Sequence, residues 1–281
     1  MLAARCANGS RTGPVMRAYE TAETFDLPDE EVIVAGDWHG DGPWVRRAFR
    51  AVKSVGGVAT VLHVGDFALW DEGYFDVVDR AAQSAHVERV LVTPGNHEHY
   101  GKLQPLLDAA NGRAVRLSDV VWALPRGFRF TVNGRSVLSA GGAPSVDYAW
   151  RRPGKDWWSE EAITDGDISR CATGGHADVM IAHDTVNGSG VFEVEKLLYT
   201  NPQGWSAEAL EYARIGREKL TRIWDEVAPP LLFHGHYHVR GSGHRTDLGR
   251  RTESLAMNGM PGNMVLLRFE DLSVTDVHAR D

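Results

Sequence analysis

The sequence predicts an α/β fold whose first half is a largely parallel sheet with helices on its faces, and three observations carry that expectation. Between Glu31 and Ala110, short apolar runs alternate with segments of helical period. From Val120 the texture changes to alternating segments joined at Asn133 and Gly134, the signal of an antiparallel hairpin. At five places a polar or metal-binding cluster directly follows an apolar run, the position where ligands bind beyond the carboxyl ends of strands.

In chain order, residues 1–28 carry Gly, Ser, Pro and mixed charge without periodicity and read as a flexible leader, with Met16 as an alternative start; residues 29–281 are expected to form one domain. Glu31 to Ala35 is a buried strand, followed by the turn GDWHGDG. Pro43 to Val55 has helical spacing, with apolar positions at Trp44, Val45, Ala48, Phe49 and Val52. Val58 to Val64 is the next strand, ending at Gly65 and Asp66, and Glu72 to Gln83 the next helix. Val87 to Thr93 gives a third strand closed by PGNHEHY, with a short helix from Leu103 to Ala110.

The segments VVWALP and FRFTVNGRSVLSAGG read as antiparallel. Pro144 to Asp167, rich in Trp, Arg and Gly, reads as an ordered loop lying over another part of the fold. Ala177 to Ala182 is a strand ending at His183. Ser206 opens a long helix through Val227, apolar at Leu210, Ala213, Leu220, Ile223 and Trp224 and stopped by Pro229 and Pro230. Leu231 to Phe233 leads into HGHYH, and MVLLRF with a short run near Val274 closes the chain. No repeat, low-complexity tract or splitting linker is present.

Composition narrows the function classes. With 43% hydrophobic and 24% charged residues, a chain of 281 can bury a substantial core. A net charge of -8 and a pI near 5.8 leave no domain-wide cationic surface, which argues against extended nucleic-acid binding. Cys6 and Cys171 share no metal-site spacing, so neither a disulfide framework nor a zinc ribbon is expected, and a reducing, cytoplasmic setting fits. No apolar run reaches the length of a membrane span, and the arginines at 5, 11 and 17 are not followed by the apolar core of a secretion signal.

The polar clusters point to a metal centre. Side chains two apart on a strand face the same way, so Asp37 and His39 can bind one cation together. Asp66, Asn96 with His97, His183, and His236 with His238 occupy matching positions after later strands. This mixed nitrogen and oxygen set without thiolate suits Mn, Fe, Zn or Ni and argues against a structural zinc site.

GDWHG, GDF, GNHE, the lone His183 and GHYH, in this order and spacing, resemble the five signature motifs of the calcineurin-like metallophosphoesterases, across most of the chain from Asp37 to His238. The resemblance implies a four-layer αββα sandwich, two mixed β-sheets flanked by helices. It implies that Asp37, His39, Asp66 and His238 hold one divalent metal and that Asp66, Asn96, His183 and His236 hold the other, with Asp66 bridging. Manganese is the first expectation, with Fe, Zn or Ni as alternatives. Two cations about 3.5 to 4 Å apart lower the pKa of a shared water to yield hydroxide and neutralise charge on a transferring phosphoryl group. His97 matches the family's non-ligand histidine, positioned to protonate the leaving oxygen, with Asp71 or Glu98 as candidates to orient it.

The expected partner is a phosphate ester, monoester or diester, and the chain is expected to be a monomer or small homo-oligomer. A nuclease or cyclic-nucleotide phosphodiesterase, and a non-catalytic scaffold of the same fold, are the alternatives. The chain departs from the family's protein phosphatases: GDFALWDEG and PGNHE replace GDxVDRG and RGNHE, so Leu69 stands at their dyad Asp and two phosphate-binding arginines are missing. Asp41 replaces the Asn commonly found after GDxHG. His63, His99 and His234 fit no ligand slot and are expected to be buried and hydrogen-bonded. Arg151, Arg152, Trp157 and Trp158 are candidates for substrate contact, whereas the arginines between Arg240 and Arg251 read as a solvated loop.

Overall fold

A computed structural model describes residues 16–279. Its elements are β1 (Glu20–Ala22), β2 (Asp26–Leu27), β3 (Glu31–Ala35), α1 (Gly42–Val55), β4 (Thr60–His63), α2 (Glu72–Ser84), β5 (Arg89–Val92), α3 (Tyr100–Ala110), β6 (Ala114–Arg116), β7 (Val121–Ala123), β8 (Arg129–Val132) and β9 (Arg135–Ala140). After two single 3-10 turns follow α4 (Asp165–Thr173), β10 (Val179–Ala182), α5 (Phe192–Thr200), α6 (Ala207–Val227), β11 (Leu231–His234), β12 (Gly241–Arg245), β13 (Arg250–Ser254), β14 (Met264–Arg268) and β15 (Val274–Val277).

The strands form an eight-stranded sheet, β1-β6-β7-β5-β4-β3-β14-β15, and a seven-stranded sheet, β12-β13-β11-β10-β9-β8-β2. Side-chain alternation explains why they stack. Ile33 and Ala35 of β3 pack outward against Trp44, Val45 and Phe49 of α1, while Val32 and Val34 pack inward with Ile181 and Phe233 of the second sheet. Met180 and Ala182 of β10 then face Leu220, Ile223 and Trp224 of α6. A strand covered on both faces must be apolar throughout, which is why β3, β4, β10 and β11 read as continuous runs. Four layers, helix, sheet, sheet, helix, follow directly.

Local signals hold at most of the expected ends. Asp41 caps α1 by accepting the Trp44 amide, and the five apolar positions read from the sequence are its buried face. Ser206 caps α6 through the Ala209 amide. Asn133 and Gly134 both take positive φ, 48° and 73°, as a two-residue hairpin turn requires.

Several expectations need correction. Of the stretch read as a leader, residues 1–15 lie outside the described residues, but β1 pairs with β6 and β2 with β8, so the ordered fold begins ahead of residue 29. These short edge strands have too few buried side chains to produce periodicity. The strands after Val120 are antiparallel only in part: β7 runs antiparallel to β6 but parallel to β5, β8 and β9 form the expected hairpin, and β9, β10, β11 and β13 run parallel. The loop read to Asp167 already contains the start of α4, whose Thr164 and Asp167 form a reciprocal capping box. Helix α5, of which only Val194 is buried, and the polar hairpin β12–β13 carry no strong apolar pattern. Among the described residues, no helix is long and apolar enough to cross a membrane.

Candidate metal centre

The parallel strands β3, β4, β5, β10 and β11 deliver their following loops to one place, and those loops are strained. His39, Asp66, His236 and His238 all sit at positive φ, between 48° and 65°. Left-handed backbone at a non-glycine residue costs about 1–3 kcal/mol each and persists only where the surroundings over-determine it. Close approach adds to the constraint: a Cβ on Gly95 would run into the Asp66 carboxylate, and one on Gly235 into that of Asp37.

Two groups of donor atoms result. One atom each of Asp37, His39, Asp66 and His238 lie within 4.8 Å of one another, a set that could hold a metal ion. In it, His238 Nε2 is 3.1 Å from Asp37 Oδ2 and His39 Nε2 is 3.5 Å from Asp66 Oδ2. Beside it, His183 Nε2 lies 3.3 Å from Asp66 Oδ1 and 2.9 Å from Asn96 Oδ1, and His236 Nδ1 lies 2.9 Å from that same Asn96 oxygen. Asp66 therefore turns one oxygen to each group. It is 1% exposed, and its Oδ2 has no hydrogen-bond partner among the described residues. A buried carboxylate oxygen without a partner is costly unless a cation compensates it, so the donor set fits a divalent metal.

The electrostatics agree. Burial pushes the Asp66 carboxyl toward protonation, but the facing His183 and His97 hold it well below the usual carboxylate range. Burial likewise opposes charge on His183 and His39, yet Asp66, with Asp37, lifts them to about 10 and about 9. The carboxylates thus attract positive charge strongly at this point, and a ring proton or a metal can supply it.

Surrounding side chains orient these donors. His183 Nδ1 donates to the Val64 carbonyl at 2.9 Å, leaving Nε2 to face Asp66 and Asn96. His39 Nδ1 is paired with Asn258 Oδ1 at 2.9 Å, and Asn258 Nδ2 donates to Asp41 Oδ2 at 2.9 Å. This accounts for Asp41: one oxygen caps α1 and the other aligns the amide that aligns His39. Asn96 Nδ2 donates to Ser145 Oγ at 3.0 Å, and Ser145 donates to the buried Glu161 at 2.6 Å, which holds Asn96 Oδ1 toward His183 and His236. Such supporting contacts are worth about 10- to 100-fold in metal affinity, so Ser145→Ala is expected to weaken metal binding by roughly that factor in an equilibrium titration.

His97 lies beside both groups and belongs to neither. Its backbone amide donates to Asp66 Oδ1 at 2.7 Å, and its Nε2 is 3.0 Å from Arg151 Nη2. Partial desolvation lowers its pKa against the pull of Asp66, and the Arg151 charge lowers it further. Neither sequence candidate orients it. Asp71 caps α2 through the Tyr74 amide, and Glu98 is buried, accepting the amides of Phe67, Ala68 and Leu69 at 2.8 to 3.2 Å. Glu98 instead shapes the loop after Asp66, and burial lifts its pKa to about 7. Leu69, at the protein-phosphatase dyad position, is fully buried.

The remaining candidates separate cleanly. His63 and His234 are buried and kept neutral by burial, His234 with a pKa of about 4. His99, expected to be buried and hydrogen-bonded, is only half-buried, its Nδ1 has no hydrogen-bond partner among the described residues, and its ring lies tilted against Trp158 at 4.3 Å. Arg152 is closed onto Asp156, and Trp157 donates to Glu161, so neither is turned to the centre. Arg240, Arg245, Arg250 and Arg251 pair with Asp276, Asp247, Asp225 and Glu253, on the β12–β13 hairpin or at its ends rather than in a free loop. Sequence reasoning missed Ser145, Glu161 and Asn258; Ser145 and Asn258 lie in irregular segments and Glu161 in a single 3-10 turn, so no periodic signal marks them.

Comparison with known proteins places this geometry. Residues 31–240 match the family described as calcineurin-like phosphoesterase. No curated protein sequence matches the chain significantly. Among solved structures, TT1561 of Thermus thermophilus superposes with a TM-score of 0.56 at 11% identity, covering 89% of this chain and 99% of that one. A phosphatase from Mycoplasma pneumoniae gives a TM-score of 0.44 at 11% identity over 90% and 92% of the two chains. The first of these likenesses speaks for the fold, while the family match covers most of the chain and all the parallel strands that carry the donors up to His238. This chain belongs to the calcineurin-like phosphoesterase family.

Proposed function

We propose that this protein is a binuclear metal-dependent phosphoesterase, with Asp37, His39, Asp66 and His238 holding one divalent cation and Asp66, Asn96, His183 and His236 the other. The observation that carries the reading is Asp66, buried, with one oxygen turned to each donor group and the second oxygen unpartnered. Manganese is the first choice on the donor set, with Fe, Zn or Ni as alternatives. When bound, two such cations supply charge to a transferring phosphoryl group and acidify an attacking water.

The chain's own residues supply the rest. His97 sits at the edge of both groups with its ring free of either; its Nε2 accepts from Arg151 Nη2, and transfer of that guanidinium contact to a bound phosphate would free Nε2 to carry the proton that a leaving oxygen takes. The Asn96–Ser145–Glu161 and His39–Asn258–Asp41 chains hold donors in one orientation, so the site is organised before a substrate arrives. Cysteine usage suggests a reducing, cytoplasmic setting, and the protein is read as a monomer or small homo-oligomer.

The test is hydrolysis of an aryl phosphate monoester and a matched diester by chelator-stripped protein while manganese is titrated back. Activity is expected to be absent without metal and to return as two equivalents bind. Binding of two equivalents with no turnover of either ester would instead favour a non-catalytic scaffold.

A further inference from the structure

The donor groups open into a cavity of about 290 Å3 whose far wall has a different character. Leu197 and Leu198 from α5, Trp205 just ahead of α6 and Leu210 within it line the same cavity as Asp66, His97 and His236. Trp150, 77% exposed, lies against Trp205 at 5.1 Å and is positioned to extend this apolar wall toward the rim. Arg151, 11% exposed, also lines the cavity, held by the Asp147 carboxylate at 2.8 Å and the Asp156 carbonyl at 3.3 Å, with Nη2 against His97 Nε2.

Resting on the phosphoesterase reading, we infer that the substrate is a phosphomonoester of a compact apolar alcohol or phenol, its phosphate held by Arg151 and its organic group against Leu197, Leu198, Trp205 and Leu210. The charge argument comes first. Arg151 is the loop arginine aimed at the centre, because its neighbour Arg152 is 71% exposed and engaged by Asp156. A guanidinium reads a phosphate through several fixed donors, and a monoester dianion gains more from it than a diester monoanion. Arg151 thereby stands in for the two arginines that the GDFALWDEG and PGNHE segments lack.

The wall argues for the organic group. Of the polar groups that line the cavity beside it, Asn201 exchanges two hydrogen bonds with the Trp205 backbone and Tyr237 donates to Asp184, while Gln203 and Arg217 line other parts of the cavity. Sugar hydroxyls or a second phosphate laid against those leucines would lose hydration without replacement, whereas each buried methylene strengthens binding about fourfold. The volume lies at the small end of the range for small-molecule sites, which suits one ring or a short chain.

The test uses non-hydrolysable phosphonates and calorimetry on the manganese-loaded protein, so that it does not depend on turnover. Benzylphosphonate is expected to bind at least tenfold more tightly than methylphosphonate. Leu198→Asn should weaken benzylphosphonate and leave methylphosphonate unchanged. Arg151→Ala should weaken both at least tenfold without changing metal content, and Arg151→Lys should recover part of that loss. Equal binding of the two phosphonates, or no effect of Arg151→Ala, would overturn the inference. In parallel, phenyl phosphate should turn over faster than its diester in the wild type, and Arg151→Ala should narrow that ratio. If no ester turns over, the phosphoesterase reading fails, while the phosphonate affinities still decide which ligand the cavity takes.

Discussion

Asp66→Asn is expected to leave the protein folded, to lower bound manganese below two equivalents and to remove nearly all phosphoester turnover. Asparagine keeps the size of the side chain, and the Asp66 backbone carbonyl, which accepts the His39 amide at 2.7 Å, stays in place. What changes is the charge shared between the two donor groups. The amide also turns NH2 donors toward His39 or His183, where an acceptor stood. Since a cation pair is worth several kcal/mol of transition-state charge stabilisation, losing one member costs on the order of 10³-fold in rate. Metal analysis of the purified variant beside its rate reads both effects. Two equivalents with near wild-type turnover would remove Asp66 from the bridging position.

His97→Ala is expected to separate two kinds of ester. The His97 backbone amide that holds Asp66 Oδ1 survives the substitution, so metal content should not change. Loss of a proton donor costs about 10²- to 10⁴-fold where the leaving oxygen is strongly basic, and little where it departs unprotonated. Alkyl phosphates should therefore lose most of their rate and nitrophenyl phosphate little. Equal losses on both would assign the ring to positioning, since a misaligned Asp66 or Arg151 slows every ester alike.

The two substitutions probe residues that were legible from local sequence, and the reason is local too. Asp37, Asp66, Asn96, His183 and His236 each follow a strand buried on both faces, so an unbroken apolar run announces where the chain must turn and present polar groups. The helix caps at Asp41 and Ser206 are equally local, each side chain reaching an amide three residues on. Where burial is one-sided or slight the signal fades, as at β1, β2, α5 and the β12–β13 hairpin.

The supporting contacts obey no such rule. Ser145 meets Asn96 from 49 positions away and Asn258 meets His39 from 219, both from irregular segments with no period to read. Asp71 and Glu98 were unranked candidates to orient His97, one in the segment after Asp66 and one beside His97 itself; folding turned one into a helix cap and the other into a clasp on residues 67–69, and brought Arg151 to the ring instead. Likewise, four loop residues were open candidates for substrate contact, and pairing with Asp156, Glu161 and His99 left Arg151 facing the centre. Residue type and short-range spacing were sufficient for the polar clusters that follow the strands and for the strand-to-loop order, because each depends on neighbours in the chain, and the family resemblance implied which of those residues are donors. The orientation of each donor, the cation beside His97 and the apolar wall across the cavity waited on the fold, because each depends on side chains that only the stacking of two sheets and their helices brings into contact.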